Sequence, residues 1–329
     1  MTRIAINGLG LIGRASLKII IENPYLDIIA VNDIAPIENI AYLLKYDSVH
    51  GTYENEIKTT ENKLVVGNQE IPYYNEKNPE KLPWKTLDID VVIESTGIFT
   101  KEEDAKKHIS AGAKTVILSG PTNSANVPTI VHGVNNKNGD TSIFSCASCT
   151  TNNISPIIEI LGRRLGIKKA IMTTIHANTA SNKTVDLPSS NLRMGRSGIN
   201  NLIPTTTGAA TATTKVLTQY DGKFDGLAIR VPVAVGSISD ITILSKTKTS
   251  IENVNTILEE EARSFRYKDV LRVTYEPIVS SDIIRDTHAS IADLSMTKVV
   301  DGDLIKILTW YDNEWGFANQ MIRQIQEMK

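Results

Sequence analysis

The amino-acid sequence predicts an α/β protein in two parts, a parallel sheet covered by helices followed by an α+β region. Three observations predict it. The first 32 residues read strand, glycine-rich turn, helix, strand, a βαβ unit that requires a parallel sheet. Short β-rich runs go on alternating with helical stretches to about residue 165. Beyond that point the strand-like runs alternate apolar with polar residues more regularly. A length of 329 residues suits two domains.

The elements follow in order. Residues 3–7 form a strand and 11–22 a helix, closed by Asn23-Pro24 because proline cannot continue it. Residues 26–32 are a second strand. Strands at 90–95 and 114–119 flank a helix at 101–111 that Gly112 stops. A further strand at 141–145 leads into a helix from about 150 to 165, with Pro156 placed to kink it. Strand-like runs then occupy 169–177, 226–235, 237–245, 271–275 and 303–311, and 251–265 is a long amphipathic helix. The span 178–207 has little periodicity. Its Pro188, Leu192, Ile199, Leu202 and Ile203 among polar residues predict an ordered, packed loop. The boundary falls near Ser148. A first domain of 1–148 and a second of 149–312 are expected, with a C-terminal helix at about 313–329 packing back onto the first.

Composition narrows the function. Thirty-five Lys and Arg against 37 Asp and Glu leave a net charge of −2, so there is no broad basic field and nucleic acid is not the expected partner. No apolar run approaches the roughly 18 residues of a membrane span. Asn7, the glycines and Arg14 interrupt any signal-peptide core. Cys146 and Cys149 are the two cysteines. They make no disulfide framework, and a cytoplasmic chain without membrane contact is expected.

Gly8-Leu-Gly10-Leu-Ile-Gly13 follows a strand and opens a helix, and Asp33 stands 20 residues after Gly13 at the end of the next strand. In that setting Gly8 allows the tight turn, Gly10 lets the backbone approach a pyrophosphate, and Gly13 lets helix and strand pack closely. The helix start offers free N–H groups and a positive dipole end to the anion. Asp33 would accept from ribose hydroxyls and repel a 2′-phosphate, favouring NAD over NADP. The first domain therefore reads as a Rossmann-type dinucleotide-binding domain.

Cys149 lies in Ser145-Cys-Ala-Ser-Cys-Thr-Thr-Asn152, at a strand-to-helix junction among the hydroxyls of Ser148, Thr150 and Thr151. A thiol at a helix start meets the positive dipole end, which favours thiolate. A zinc site is not expected, since it needs three or four ligands and no second cysteine pair exists. Of the five histidines, His176 ends a strand where the irregular loop begins, held rigidly yet facing a cleft.

Matching segments run nearly from end to end: Ile6-Asn-Gly-Leu-Gly-Leu-Ile-Gly-Arg14, Val31-Asn-Asp33, Lys45-Tyr-Asp-Ser-Val-His-Gly51, Leu82-Pro-Trp84, Glu94-Ser-Thr-Gly97, Ala147-Ser-Cys-Thr-Thr-Asn152, Thr173-Thr-Ile-His176, Thr205-Thr-Thr-Gly-Ala-Ala210, Arg230-Val-Pro232 and Trp310-Tyr-Asp-Asn-Glu-Trp-Gly316. Together they resemble the phosphorylating glyceraldehyde-3-phosphate dehydrogenases. The resemblance implies an α+β catalytic second domain in which Cys149 attacks the aldehyde to form a thiohemiacetal. His176 would accept the proton and stabilise the oxyanion. Hydride passes to NAD, leaving a thioester that inorganic phosphate converts to 1,3-bisphosphoglycerate.

The resemblance further places the phosphates of glyceraldehyde 3-phosphate and of the attacking anion on Ser148, Thr150, Thr179, Thr207, Gly208 and Arg230. It places the cofactor on Leu11, Ile12, Asp33, Lys77, Thr96, Gly97, Ser119 and Asn313. It implies a homotetramer, with the Leu187-Pro188 loop reaching toward a neighbour's cofactor. The chain departs from the usual family residues at Leu11, Lys77, Cys146, Asn153, Ser181, Met194 and Phe317. An erythrose 4-phosphate dehydrogenase, or a redox switch joining Cys146 and Cys149, are the alternative readings. The strong match at 205–208 disfavours the former.

Overall fold

The computed structural model describes residues 1–136 and 141–328. They form two compact units. One gathers Met1–Ile130, Asn136–Ala147 and Met321–Lys329, the other Val131–Asn135 and Ser148–Gln320. Among the described residues no helix is long and apolar enough to cross a membrane.

The first unit is built on the expected βαβ start: strand Thr2–Asn7, helix Leu11–Ile21 and strand Leu26–Asn32. Its eight-stranded sheet runs Ile143–Ser145, Thr115–Leu118, Val91–Glu94, Thr2–Asn7, Leu26–Asn32, Gln69–Tyr74, Lys63–Val66, Ile57–Thr59. Pairing is parallel from the first of these to Gln69–Tyr74 and antiparallel beyond. Every residue of Val91–Glu94 and Thr115–Leu118 is buried, as strands of a parallel sheet covered on both faces are. Helix Glu102–Ser110 lies between these two strands in sequence. Helix Ile37–Lys45 and the three strands between residues 57 and 74 were not expected from the sequence. They are short, and the strands owe their identity to pairing rather than to local pattern.

Beneath the strand ends lies a buried polar chain. The Trp84 indole N–H donates to Nδ1 of His108 at 2.9 Å, which leaves the ring proton on Nε2, 3.0 Å from Glu94 Oε2. Glu94 also accepts from Asn7 Nδ2 at 2.6 Å and from the backbone N–H of Thr96 at 2.8 Å. Asn7 Oδ1 in turn accepts from Asn32 Nδ2 at 2.7 Å. This network ties together three strand ends that face the glycine-rich turn.

The second unit also has eight strands. Along the sheet they run Ile203–Thr206, Phe224–Arg230, Ile167–His176, Ser237–Ser245, Leu304–Tyr311, Ser290–Asp293, Leu271–Thr274, with Lys298–Val300 paired to Leu304–Tyr311. Residues of Ser237–Ser245 alternate strictly between buried and half-buried, the period of a sheet covered on one face. Helix Cys149–Arg164 packs on it and continues through Pro156. On Ile167–His176, Met172, Thr174 and His176 are buried while Ile171 is 58% exposed.

Two expectations are corrected here. The loop at 178–207 ends early, because Ile203–Thr206 is an edge strand antiparallel to Phe224–Arg230. Pro204 disguises it in sequence, yet an edge strand tolerates a residue without an N–H. The strand expected at 226–235 stops at Arg230, ahead of Pro232. Helix Ala209–Val216 was not foreseen, and the helix expected at 251–265 is Ile251–Ala262. The last helix is Trp315–Gln326, and residue 329, the expected end of the C-terminal helix, lies outside the described residues.

The glycine turn sets a test. Gly8 holds φ at +92°, and a Cβ on Gly13 would sit 2.0 Å from the Gly8 carbonyl oxygen, whereas one on Gly10 would meet nothing within 4 Å. Gly13→Ala therefore lowers stability by about 1–3 kcal/mol through overpacking, while Gly10→Ala changes it by well under that. Thermal melts of the two variants check it, and equal melting points for both would contradict the packing argument.

Candidate active site

Cys149 is the first residue of helix Cys149–Arg164, and the sequence there is a capping arrangement. Ser148 is the N-cap: its Oγ accepts from the Thr151 N–H at 3.1 Å and lies 2.8 Å from Thr151 Oγ1. The chain enters through Ala147 in the left-handed region, φ +61°, an unusual conformation for a residue with a Cβ. Asn153 is buried at the same end. Its amide N–H donates to the Ala289 and Trp310 carbonyls and to Thr309 Oγ1, which ties the helix to the sheet.

The sulfur of Cys149 lies 3.4 Å from Nε2 of His176. His176 ends strand Ile167–His176, and the parallel register sets it directly opposite Arg230, the last residue of Phe224–Arg230. Arg230 Nη1 is 2.6 Å from His176 Nδ1 and 3.1 Å from the Ala177 carbonyl oxygen. The His176 and Tyr311 rings meet in a T-shaped contact, centroids 6.0 Å apart at 79°. The Tyr311 hydroxyl sits between Thr150 Oγ1 at 2.9 Å and Thr174 Oγ1 at 2.8 Å. Thiol, imidazole and guanidinium thus stand in a row, with the Tyr311 hydroxyl cluster beside them.

Burial sets the electrostatics. Desolvation pushes the Cys149 thiol up to about 11, although the Arg230 charge and hydrogen bonds from Thr150 pull it down. The helix start and its neighbours lower the value as the sequence suggests, but in the free protein desolvation outweighs them. Desolvation and then the Arg230 charge hold His176 down at about 4, so the ring is neutral at ordinary pH. A neutral imidazole next to a thiol is a base awaiting its proton.

The remaining expected anion contacts are spread around this unit. Thr179 Oγ1 pairs with Ser181 Oγ at 2.9 Å. Thr207 Oγ1 accepts from the Ala209 N–H at 3.1 Å, and exposed Gly208 is the N-cap of Ala209–Val216 with open space where a side chain would be. Asn313 is buried, its Oδ1 accepting from the Gly236 N–H and Ser237 Oγ. That leaves its NH2 as the group to offer a ligand. The sequence reading missed Tyr311, Thr174 and Ser237. Tyr311 lies inside a quoted motif, but nothing in the sequence tells that its hydroxyl is the hub.

In the first unit a cavity of about 440 Å³ is lined by Gly8, Gly10, Asp33, Lys77 and Thr96, and also by Asn7, Asn32, Ile34, Glu76, Ser95, Ile98 and Phe99. Leu11, Ile12, Gly97 and Ser119 do not line it. The missed residues are neighbours of expected ones at the carboxyl ends of strands, where α/β sheets hold ligands. The residues fit a dinucleotide. Helix Leu11–Ile21 has Gly10 as N-cap and no side-chain cap, so its first N–H groups are open to a pyrophosphate. Asp33 accepts from the Leu9 N–H at 2.6 Å and the Ala35 N–H at 2.9 Å, and each oxygen keeps a lone pair for a ribose hydroxyl. Cys146 is buried and desolvation pushes its thiol up to about 12, which gives the redox-switch reading no accessible second thiol.

Comparison with known proteins agrees with this division. The family described as glyceraldehyde 3-phosphate dehydrogenase, NAD binding domain, matches residues 2–102, and its C-terminal domain matches residues 148–313. The chain is 44% identical to glyceraldehyde-3-phosphate dehydrogenase of Thermotoga maritima, over 99% of this chain and 98% of that one. It is 43% identical to glyceraldehyde-3-phosphate dehydrogenase 2 of Streptomyces avermitilis over 97% and 96% of the two chains. It is 41% identical to glyceraldehyde-3-phosphate dehydrogenase 2 of Staphylococcus aureus strain MRSA252 over 98% and 94%. With a dinucleotide cradle in one unit and a thiol–imidazole pair in the other, both matched along their length, the chain belongs to the glyceraldehyde-3-phosphate dehydrogenase family, whose members are NAD-dependent oxidoreductases.

Proposed function

We propose that this protein oxidises glyceraldehyde 3-phosphate with NAD and phosphorylates the product to 1,3-bisphosphoglycerate through a thioester on Cys149. The observation that carries the reading is the 3.4 Å contact of Cys149 Sγ with His176 Nε2, beside the Arg230 guanidinium.

The sulfur adds to the aldehyde carbon and its proton passes to Nε2, which returns it to the former carbonyl oxygen. Oxidation then needs that hydroxyl proton removed, and Nε2 is the base in place. When bound, NAD supplies the acceptor for the hydride that leaves the same carbon. Collapse gives a thioester, which holds the oxidation energy as long as water is kept away. An oxygen of inorganic phosphate attacks its carbonyl, the carbon–sulfur bond breaks, and the acyl phosphate departs as the thiolate reforms. Arg230 is suited to gripping a phosphate because its planar fork bonds two oxygens at once. We assign Ser148, Thr150, Thr179, Thr207 and Gly208 to the same two anions. Gly8, Gly10, Leu11, Ile12, Asp33, Lys77, Thr96, Gly97, Ser119 and Asn313 are assigned to the cofactor.

We assign the protein to the cytoplasm, since Cys146 and Cys149 are not joined in a disulfide, which suits a reducing compartment. We assign it to a homotetramer, supported by the open apolar face of the second sheet, where Ile171 is 58% and Leu227 43% exposed, together with Leu202 at 70%. Light scattering reporting four times the chain mass of 36.1 kDa is expected, and a single-chain mass removes the tetramer.

Cys149→Ser abolishes NADH formation, and His176→Asn lowers kcat by about 10²–10⁴-fold, the worth of a positioned base. Without phosphate or arsenate, wild type stops after a burst of one NADH per chain. Steady turnover under those conditions refutes the acyl-phosphate step. Because the Arg230 charge favours thiolate, Arg230→Met moves the pH profile of Cys149 alkylation by iodoacetamide to higher pH. An unmoved or lowered profile contradicts the electrostatic assignment.

A further inference from the structure

Two walls of the cavity in the first unit hang on one carboxylate. Glu94 ends strand Val91–Glu94 and is 3% exposed, yet its oxygens take four donors. Oε1 accepts from the Thr96 backbone N–H at 2.8 Å and from the Thr96 hydroxyl. Oε2 accepts from Asn7 Nδ2 at 2.6 Å and from His108 Nε2 at 3.0 Å. That is a full set for a carboxylate. Thr96 belongs to the first wall, where its hydroxyl also accepts from the Ile98 N–H at 3.1 Å. The second wall is reached through amides. Asn7 Oδ1 accepts from Asn32 Nδ2 at 2.7 Å. Asn32 in turn clamps the backbone of Glu76, donating to its carbonyl and accepting its N–H, both at 2.9 Å. Asn7, Asn32, Glu76, Thr96 and Ile98 line the cavity together with Asp33, whereas Glu94 and His108 stand behind it.

The chain has a direction. An indole N–H only donates, so the 2.9 Å contact of Trp84 Nε1 with His108 Nδ1 makes that ring nitrogen an acceptor and leaves Nε2 to donate to Glu94. From Trp84 through His108 on one side, and from Asn32 through Asn7 on the other, every bond points at the carboxylate. Its outer end is anchored: Trp84 and His108 are fully buried, and Trp84 packs in an apolar cluster with Leu82, Ala105, Ala111 and Val116. Apolar side chains of similar volume are commonly as stable as a buried charge and its partners, or more so. Stability alone is therefore a weak reason for such a chain beneath a binding cavity.

Resting on the reading of this cavity as the cofactor site, we propose that His108, held by Trp84 and acting through Glu94, is a positioning residue for the adenosine half of NAD. By fixing Glu94 it fixes Thr96 on one side and, through Asn7 and Asn32, Glu76 on the other. Those two walls set the width of the slot beside Asp33, the residue assigned to the ribose hydroxyls. Removing the His108 donor, or replacing the carboxylate by an amide that turns an N–H toward other N–H groups, lets the Thr96 turn shift. Every member of the chain lies in the first unit, so the effect falls on cofactor affinity and leaves the thiol and imidazole of the second unit alone.

The test is calorimetric titration of the full chain with NAD and with ADP-ribose, which lacks the nicotinamide. Glu94→Gln and His108→Phe are expected to raise both dissociation constants by the same factor, about tenfold or more, the worth of a buried hydrogen bond to a charged group. His108→Gln keeps an acceptor for Trp84 and a donor for Glu94, and is expected to stay within about threefold of wild type. The KM for glyceraldehyde 3-phosphate at saturating NAD stays put, which general damage to the fold would not allow. Hydrogen exchange adds a readout on the unaltered protein: the Thr96 amide exchanges slowly in ligand-free wild type and fast in Glu94→Gln. Wild-type affinity in Glu94→Gln overturns the proposal. So does His108→Gln binding as weakly as His108→Phe, a loss for NAD that ADP-ribose does not share, or a fast Thr96 amide in wild type. If His108→Phe does not fold, the isosteric Glu94→Gln and the exchange measurement decide. Asp33→Ala separates the two readings. If it weakens neither ligand, the cavity is not the cofactor site and the parent reading falls with the proposal. If it weakens both while Glu94→Gln weakens neither, only the proposal falls.

Discussion

The chemistry proposed for the second unit depends on one distance, the 3.4 Å between the Cys149 sulfur and Nε2 of His176. Neither residue secures it alone. The sulfur is fixed because Ser148 caps a helix whose N-terminal end is held to the sheet by the Asn153 amide. The imidazole is fixed because it closes a strand paired on both sides, parallel to Phe224–Arg230 and antiparallel to Ser237–Ser245. A one-residue slip of that strand would turn His176 to the opposite face of the sheet and take the imidazole from the sulfur. Eight strands are a large frame for two side chains, but register is what a sheet controls best.

The same register explains the electrostatic character of the site. Opposing His176 with Arg230 puts a fixed cation against an imidazole that burial already keeps neutral. The cation also favours the thiolate. One guanidinium thus pushes proton affinity down on both neighbours while remaining short of partners itself. Half-buried cations of this kind are costly unless paired, and here the pairing group is suited to be a ligand rather than another side chain.

Much of this was legible in the sequence, for identifiable reasons. The βαβ start was readable because glycine spacing, helix stop and apolar strands are all local. Cys149 and His176 were readable because each sits where one element type gives way to another. What was hidden depends on pairing over long sequence separation. Ile203–Thr206 is a strand because Phe224–Arg230 accepts it, and its own Pro204 speaks against it. Tyr311 is central because Thr150 and Thr174, 161 and 137 residues away along the chain, converge on its hydroxyl. The dipole argument for a lowered Cys149 value was sound in sign, but a sequence does not state how deeply a sulfur will be buried.

The departures from the usual family residues can be weighed by the same criterion. Leu11 caps no contact that the backbone cannot make, since the open N–H groups at the start of Leu11–Ile21 are what an anion needs. Lys77 keeps a charge on the wall of the cofactor cavity. Asn153 does more than fill the place of a cysteine, because its amide N–H bonds reach the strand that carries Tyr311. In the first unit the carboxylate of Glu94 does comparable work: bonded to Asn7 and to the Thr96 N–H, it holds two cavity-lining residues against each other. At Leu11 a backbone donor suffices, and at Lys77 a bare charge is kept. Where geometry itself is the function, the chain spends buried hydrogen bonds to hold it.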